Sequence, residues 1–226
     1  MTASADSAGP PPPRTVRLKI CGLRDPHQAA AIAALGVDAI GVVAVPGSQR
    51  FLAADQRAAL FAAARAGRHG VLGVLVTADP QVEDLPALQG DHGHQVVQLH
   101  GQESVERCQA LARRLGPEVE LWKAMRVRCR DDLRRAEDYA GVVRALLLDA
   151  WVPDQLGGTG QAIPLEWLEG FSPSLPWWLA GGLSPETVAH ALQHCRPFGI
   201  DVSSGVEERP GWKNLERVHQ LIAKLP

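Results

Sequence analysis

The sequence lacks the features that would tie a chain to nucleic acid, to a membrane or to secretion. Its 226 residues carry a formal net charge of −2, so no strong field attracts nucleic acid or an anionic lipid surface. No apolar run approaches the roughly 18 residues that a membrane span needs. The N-terminus also lacks the basic and then apolar pattern of a secretory signal. We therefore predict a cytoplasmic protein with no nucleic-acid or membrane partner.

Cysteine is scarce and scattered. The four cysteines are Cys21, Cys108, Cys129 and Cys195, with wide, uneven gaps and no CxxC pair. This spacing disfavours a zinc site or a disulfide framework and fits a reducing compartment. We predict no metal site, and we expect the three later cysteines to be structural.

The first 14 residues differ in composition from the rest of the chain. Small, polar and proline residues dominate them, and Pro10 to Pro13 form a polyproline run. Such a segment cannot bury enough apolar surface to order itself. We expect a disordered tail over residues 1–14 and one folded catalytic domain over residues 15–226.

Eight short aliphatic segments alternate with stretches rich in alanine and leucine. Near-continuous apolar segments are typical of parallel strands that helices cover on both faces. The predicted strands span residues 16–21, 39–44, 70–76, 95–100, 120–127, 144–150, 176–181 and 198–204. Eight such units favour an α/β fold with a single closed (β/α)8 barrel, usually about 250 residues long. An open doubly wound sheet is the alternative, but the chain has no G-x-G-x-x-G after its first strand.

The intervening segments predict helices with recognisable ends. The first begins with Asp25 as the N-cap, Pro26 at the first position and Gln28 placed for a capping box. The helices after strands three and six look short. Further helices are predicted over residues 53–66, 103–115 and 212–224, with another beginning at Ser184 and Pro185.

Polar residues cluster at the predicted C-terminal ends of the strands, where barrels of this kind place their active sites. Each is a candidate site residue, although any one alone could be a cap, a turn residue or a buried structural group. They are Cys21, Arg50, Gln98, His100, Asp149, Asp201, Ser203 and Ser204.

Glycine-rich loops follow predicted strands six, seven and eight. Glycine allows backbone N–H groups to approach an anion closely, and barrels commonly bind phosphate at the last two of these loops. Tight turns alone are the alternative explanation, but glycine at all three loops favours a phosphate site. The predicted phosphate ligands are Gly158, Gly160, Gly181, Gly182, Ser203, Ser204 and Gly205.

Several motifs occur in a characteristic order from residue 16 to the C-terminus. They are KICGL (19–23), GSQR (47–50), VVQLHG (96–101), LLLDA (146–150), GGTG (157–160), LAGGLSPE (179–186) and DVSSGVEERPGWKN (201–214). Together they resemble the phosphoribosylanthranilate isomerases, (β/α)8 enzymes of tryptophan biosynthesis. The resemblance implies an Amadori rearrangement of N-(5-phosphoribosyl)anthranilate to 1-(o-carboxyphenylamino)-1-deoxyribulose 5-phosphate.

The resemblance also implies roles for individual residues. Cys21 matches the general base, Asp149 the general acid, and Arg50 the arginine that holds the anthranilate carboxylate. The glycine-rich loops with Ser203 and Ser204 match the phosphate site, and Asp201 matches a polar residue near the substrate.

Other site residues follow from the chain itself. Strand alternation places Lys19 on the same face as Cys21, where it could favour the thiolate or orient the substrate. Gln98 and His100 are secondary candidates for substrate binding. Every step is proton transfer and positioning, so we predict no cofactor.

The chain departs from the family pattern at three places. Residues 41–44 read GVVA where relatives often have a phenylalanine-rich strand, Gln49 stands where proline is frequent, and Asn214 stands where aspartate is common. The first two could reshape the anthranilate pocket.

Two other functions stay open at this point. One is another sugar-phosphate isomerase or epimerase, although such epimerases usually need metal-binding histidines with paired aspartates. The other is a non-catalytic barrel that binds a sugar phosphate. In each case the partner is a small molecule, and both a monomer and a homodimer fit the scaffold.

Overall fold

A closed barrel of eight parallel strands forms the centre of the molecule, in a computed structural model that describes residues 15–150 and 161–226. Each strand pairs with the next along the chain, and the eighth closes on the first. The strands are β1 (Arg17–Cys21), β2 (Ala39–Val43), β3 (Leu72–Thr77), β4 (Val96–Leu99), β5 (Glu120–Val127), β6 (Ala145–Ala150), β7 (Trp177–Leu179) and β8 (Gly199–Val202). The predicted (β/α)8 fold is confirmed, and the open sheet is excluded. The predicted tail lies outside the described residues.

Helices connect the strands and cover the barrel. They are α1 (Pro26–Ala34), α2 (Ala54–Gly67), α3 (Leu85–Leu88), α4 (Val105–Leu115), α5 (Leu165–Leu168), α6 (Val188–His194) and α7 (Leu215–Ile222). The helices after β3 and β6 are short, as predicted, and a 3-10 helix over Arg130–Tyr139 follows β5. None of the helices in the described ranges is long and apolar enough to cross a membrane.

The helix predicted over residues 212–224 begins later than expected. Trp212–Lys213 (β10) instead pairs antiparallel with Glu207–Arg209 (β9), and Gly211 (φ +80°) lies in the turn between them. The Asn214 side chain then accepts a hydrogen bond from the Arg217 amide, so α7 begins after it.

Two further predicted helix starts need correction. Ser184 and Pro185 belong to a turn, in which the Ser184 amide donates to the Thr187 hydroxyl, and α6 begins only at Val188. At α1, Asp25 caps the Gln28 amide as predicted, but Gln28 does not complete a capping box. Its side chain instead bonds both backbone polar groups of Lys213 and so fastens the β9–β10 hairpin to α1.

Strand alternation divides the core into two layers. On β1, Leu18 and Ile20 face the helices, whereas Cys21 packs with the cluster inside the barrel. Trp122 and Trp178 stack within that interior with ring centroids 5.0 Å apart. The aromatic pair packs against small interior residues such as Ala39 and Ala145, so the interior is a filled core rather than a pore.

Candidate active site

A cavity of about 640 Å³ opens at the C-terminal ends of the strands. It is lined by ten of the predicted site residues, namely Cys21, Arg50, Gln98, His100, Asp149, Gly181, Gly182, Asp201, Ser203 and Ser204. Lys19 and Gly205 do not line it, and Gly158 and Gly160 lie outside the described residues. The barrel therefore brings residues from the ends of six strands, and from the loops that follow them, to one cavity.

Lys19 lies beneath the cavity, where it supports other groups. Its side chain is fully buried, and its Nζ is 2.8 Å from Asp201 Oδ2. Burial works to lower the pKa of Lys19, but Asp201 and Cys21 outweigh burial and raise it. The ammonium therefore stays charged next to Cys21, on the inward face that alternation predicts.

Space for the Cys21 thiol depends on a glycine of the next strand. Cys21 pairs with Gly41 in the register of β1 and β2. A Cβ atom added at Gly41 would lie 2.6 Å from Cys21 Sγ and 3.0 Å from Cys21 Cα. Because residue 41 has no side chain, the Cys21 thiol has room at this position.

Opposing effects act on the ionisation of Cys21. Burial raises its pKa above the ordinary thiol value, and Asp201 acts in the same direction. Lys19 and Lys213 act against them and favour the thiolate. Burial dominates, so Lys19 lessens the cost of forming the thiolate but does not remove it.

This balance predicts the reactivity of the Cys21 thiol. Only the thiolate is alkylated, so the rate of modification by iodoacetamide rises with pH as the thiol ionises. We expect this rate to reach half its maximum at a higher pH for Cys21 than for free N-acetylcysteine. Peptide mass spectrometry on a Cys129→Ser background would follow Cys21 without the exposed thiol of Cys129. A midpoint at lower pH than that of N-acetylcysteine would contradict the dominance of burial.

Asp149 ends β6 beside an imidazole. Its Oδ2 atom is 3.3 Å from His100 Nε2, although the pair lacks the geometry of a hydrogen bond. On the other side of the ring, Gln98 Nε2 is 3.3 Å from His100 Nδ1. The three side chains therefore form a row along the cavity wall from β4 to β6.

Unpartnered polar atoms mark the cavity wall as a ligand site. Within the described ranges, Gln98 Oε1, His100 Nε2 and Asp201 Oδ1 are buried without a hydrogen-bond partner. Leaving such atoms unpaired costs about 1–3 kcal/mol each. Because all three residues line the same cavity, a polar ligand can supply the missing partners.

Two glycine-rich loops form one side of the mouth. Gly181 and Gly182 have φ of +86° and +64°, which glycine adopts without strain. In the described part of the chain, the amides of Gly181, Gly182 and Ser204 take part in none of the loop backbone hydrogen bonds. A Cβ at Gly205 would lie 1.9 Å from the Leu183 carbonyl oxygen, so Gly205 allows the two loops to touch.

Known proteins are similar to the chain over most of its length. A family model described as N-(5'phosphoribosyl)anthranilate (PRA) isomerase matches residues 18–224. The chain belongs to this family. A family relative from Synechococcus elongatus, named N-(5'-phosphoribosyl)anthranilate isomerase, is 46% identical over 210 residues, which cover 93% of this chain and 96% of the relative.

Solved structures of PRA isomerases share the fold. The phosphoribosyl anthranilate isomerase of Thermus thermophilus matches with a TM-score of 0.78 and 34% identity, over 92% of this chain and 98% of that one. Another such isomerase was solved in complex with reduced 1-(o-carboxyphenylamino)-1-deoxyribulose 5-phosphate. It matches with a TM-score of 0.75 and 30% identity, over 92% and 97% of the two chains.

Two buried residues linked to Arg50 were not predicted as site residues from the sequence of this PRA isomerase family member. Glu207 bonds Arg50 through both carboxylate oxygens, at 2.9 Å from Nε and 2.6 Å from Nη2. Lys213 is fully buried and bonds Glu207 at 2.6 Å. Both belong to the DVSSGVEERPGWKN motif, so their place in that motif was the available signal.

Proposed function

We propose that the chain isomerises N-(5'-phosphoribosyl)anthranilate by acid and base catalysis, with Asp149 and Cys21 as the two groups. The observation that carries this proposal is that a carboxyl group from β6 and a thiol from β1 open onto one cavity, with Arg50 and the glycine-rich loops around it. The family supports the reaction, and the cavity supports the roles of the residues.

Asp149 is the group we assign to ring opening. Its carboxylic acid gives a proton to the furanose ring oxygen as the C1′–O bond breaks. The electron pair of that bond goes to oxygen, and the nitrogen lone pair forms a cationic Schiff base at C1′. A positioned acid of this kind contributes about 10²–10⁴-fold to a rate.

Cys21 is the group we assign to the second proton transfer. Its thiolate removes the proton from C2′, and the electrons of that C–H bond neutralise the Schiff base to give an enolamine. The cationic Schiff base adds positive charge next to Lys19 and Lys213, which favours the thiolate at the moment it is needed. The enolamine then tautomerises to the ketone of the product.

The remaining assignments concern binding. Arg50 holds the anthranilate carboxylate, and Gly181, Gly182, Ser203 and Ser204 hold the phosphoryl group, with Gly205 supporting their loops. Gln98, His100 and Asp201 offer partners to the sugar hydroxyl groups, and Lys19 acts through Asp201 and Cys21. Gly158 and Gly160, outside the described residues, are assigned to phosphate binding on the family resemblance alone. The enzyme works in the cytoplasm, as a monomer or a homodimer, with no cofactor.

A fluorescence assay tests the proposed function. Anthranilate and phosphoribosyl pyrophosphate, supplied with a separate phosphoribosyltransferase, generate the unstable substrate in the cuvette, and the loss of its fluorescence is followed. We expect the purified chain to accelerate this loss with saturation kinetics and to form the deoxyribulose product, identified by mass spectrometry. Binding of the substrate without conversion would instead indicate a non-catalytic sugar-phosphate-binding barrel.

The Gly41→Ala variant should have a kcat/KM about a hundredfold below that of the wild type. We expect the accompanying loss of folding stability to be small. Its Cβ atom would occupy the space of Cys21 Sγ, and displacing a catalytic group by about 1 Å can cost a factor of 10². The fluorescence assay and thermal unfolding by circular dichroism measure the two effects. Gly90→Ala is the control, because its Cβ meets only Val119, at 3.5 Å. Equal activities for both variants would contradict the packing of Gly41 against the thiol.

A further inference from the structure

We propose that Glu207 is a positioning residue that makes the cavity select ligands with a carboxylate on the aromatic ring, through its control of Arg50. This inference rests on the proposed function, in which Arg50 binds the anthranilate carboxylate. It adds the residue that determines how Arg50 presents its guanidinium to that carboxylate.

Glu207 occupies one edge of the Arg50 guanidinium. Its two oxygens bond Nε and Nη2, which is the side-on bidentate geometry of an arginine and a carboxylate. The guanidinium is planar, so two bonds on one edge fix the plane and the direction of the whole group. The end formed by Nη1 and the second hydrogen of Nη2 is then left to a second carboxylate in the cavity.

The Glu207 carboxylate is itself held in place. Lys213 Nζ is 2.6 Å from Oε1, and the Gly211 amide donates to the same oxygen at 3.0 Å. The side chain is only 5% exposed. Burial alone would raise the pKa of Glu207, but Arg50 and Lys213 outweigh burial and lower it, so the group stays ionised.

Arg50 is also confined along its aliphatic stem. Its Cδ would lie 2.5 Å from a Cβ atom at Gly22, the residue that follows Cys21, so the stem crosses directly over the backbone there. With the stem packed on Gly22 and one edge fixed by Glu207, the guanidinium has a single orientation at the mouth. A ligand carboxylate therefore meets a preorganised partner, which lowers the entropy that binding costs.

The charges around Arg50 explain why this part of the cavity favours a carboxylate. Lys19 and Asp201 form a balanced pair. Arg50 and Lys213 carry two positive charges against the single negative charge of Glu207, so this cluster of three residues has a net charge of +1. A buried excess charge is costly, so the cluster favours one incoming anion.

The test compares two ligands that differ only in the carboxylate. Isothermal titration calorimetry measures Kd for reduced 1-(o-carboxyphenylamino)-1-deoxyribulose 5-phosphate and for the same compound without its carboxyl group. The ratio of the two Kd values is the selectivity for the carboxylate. We expect the wild-type protein to favour the carboxylated compound by more than tenfold, in line with a charged hydrogen-bonded pair.

The Glu207→Gln and Glu207→Asp variants should both lower this selectivity by about tenfold, through weaker binding of the carboxylated compound alone. Glutamine keeps the shape but has only one acceptor oxygen, so it cannot bond both Nε and Nη2. It also raises the net charge of the cluster by one, so a charge effect alone would strengthen the binding of the carboxylated compound. Aspartate keeps the charge but is too short to bond both Nε and Nη2. The exposed neighbour Glu208 provides the control variant Glu208→Gln, which should behave as wild type.

Three other outcomes would overturn the inference. Equal weakening of both ligands would show a general structural role, and a Glu207→Asp variant with wild-type selectivity would show that charge, not position, matters. A wild-type protein that binds neither ligand would overturn both the proposed function and this inference. Tight, selective binding without turnover in the fluorescence assay would overturn the proposed function alone.

Discussion

Replacing Cys21 with serine should lower kcat by at least about a hundredfold and leave the fold intact. A serine hydroxyl fits the space beside Gly41, but it does not ionise in the range where a thiol does, so the base that removes the C2′ proton is lost. Positioned general bases contribute about 10²–10⁴-fold. Steady-state kinetics in the fluorescence assay would measure the loss, and circular dichroism would confirm the fold.

A second buried cysteine gives a matched control for this variant. Cys195 is buried at the end of α6, where its thiol bonds the Ala191 carbonyl oxygen, as a serine hydroxyl also can. Cys195→Ser should therefore keep the wild-type kcat. The Cys21→Ser variant should still bind the reduced product analogue, because the thiol is assigned no binding role. Full activity in Cys21→Ser would show that another group is the base.

Replacing Asp149 with asparagine should lower kcat by about 10²–10⁴-fold, again without unfolding. The amide has the size of the carboxyl group and keeps its packing against Gly181 and His100, but it has no proton acidic enough to give to the ring oxygen. Rates from the fluorescence assay, together with product identification, would measure the effect.

The control for Asp149→Asn is the same chemical change at an exposed site. Asp55 lies in the first turn of α2, so Asp55→Asn should turn over as the wild type does. A second comparison separates the two catalytic groups. Only loss of Asp149 should prevent ring opening, so Cys21→Ser should accumulate the open-chain Schiff base, visible by its absorbance. Wild-type turnover by Asp149→Asn would refute the assignment of the acid.

Much of the barrel could be predicted from the sequence because parallel strands buried on both faces give short continuous apolar segments. Every predicted strand is present, with ends within two residues of the prediction. Errors arose where local chemistry competes with helix formation. At residues 210–213, a Pro-Gly turn directs Trp212 and Lys213 into the β9–β10 hairpin, and Asn214 caps α7, which is therefore shorter than predicted.

The site residues could be predicted where they lie at the ends of strands or where strand alternation sets the face that they occupy. Contacts between segments that are distant along the chain could not be predicted in this way. Alternation predicted that Lys19 and Cys21 share one face of the strand. It did not predict how deep in the barrel each side chain lies, so it did not show that Lys19 lies below the cavity. Glu207 is 157 residues from Arg50 along the chain. No local pattern connects them, and only closure of the barrel brings β8 beside β1, which in turn pairs with β2.

A crystal structure of the protein with reduced 1-(o-carboxyphenylamino)-1-deoxyribulose 5-phosphate would test the proposed arrangement most directly. We expect the ring carboxylate on Arg50, the phosphoryl group against Gly181, Gly182 and Ser204, and the C2 carbon of the sugar chain in contact with Cys21 Sγ, with Asp149 on the opposite side. A ligand bound with its phosphoryl group on Arg50, or with Cys21 and Asp149 both out of contact with the sugar carbons, would contradict it.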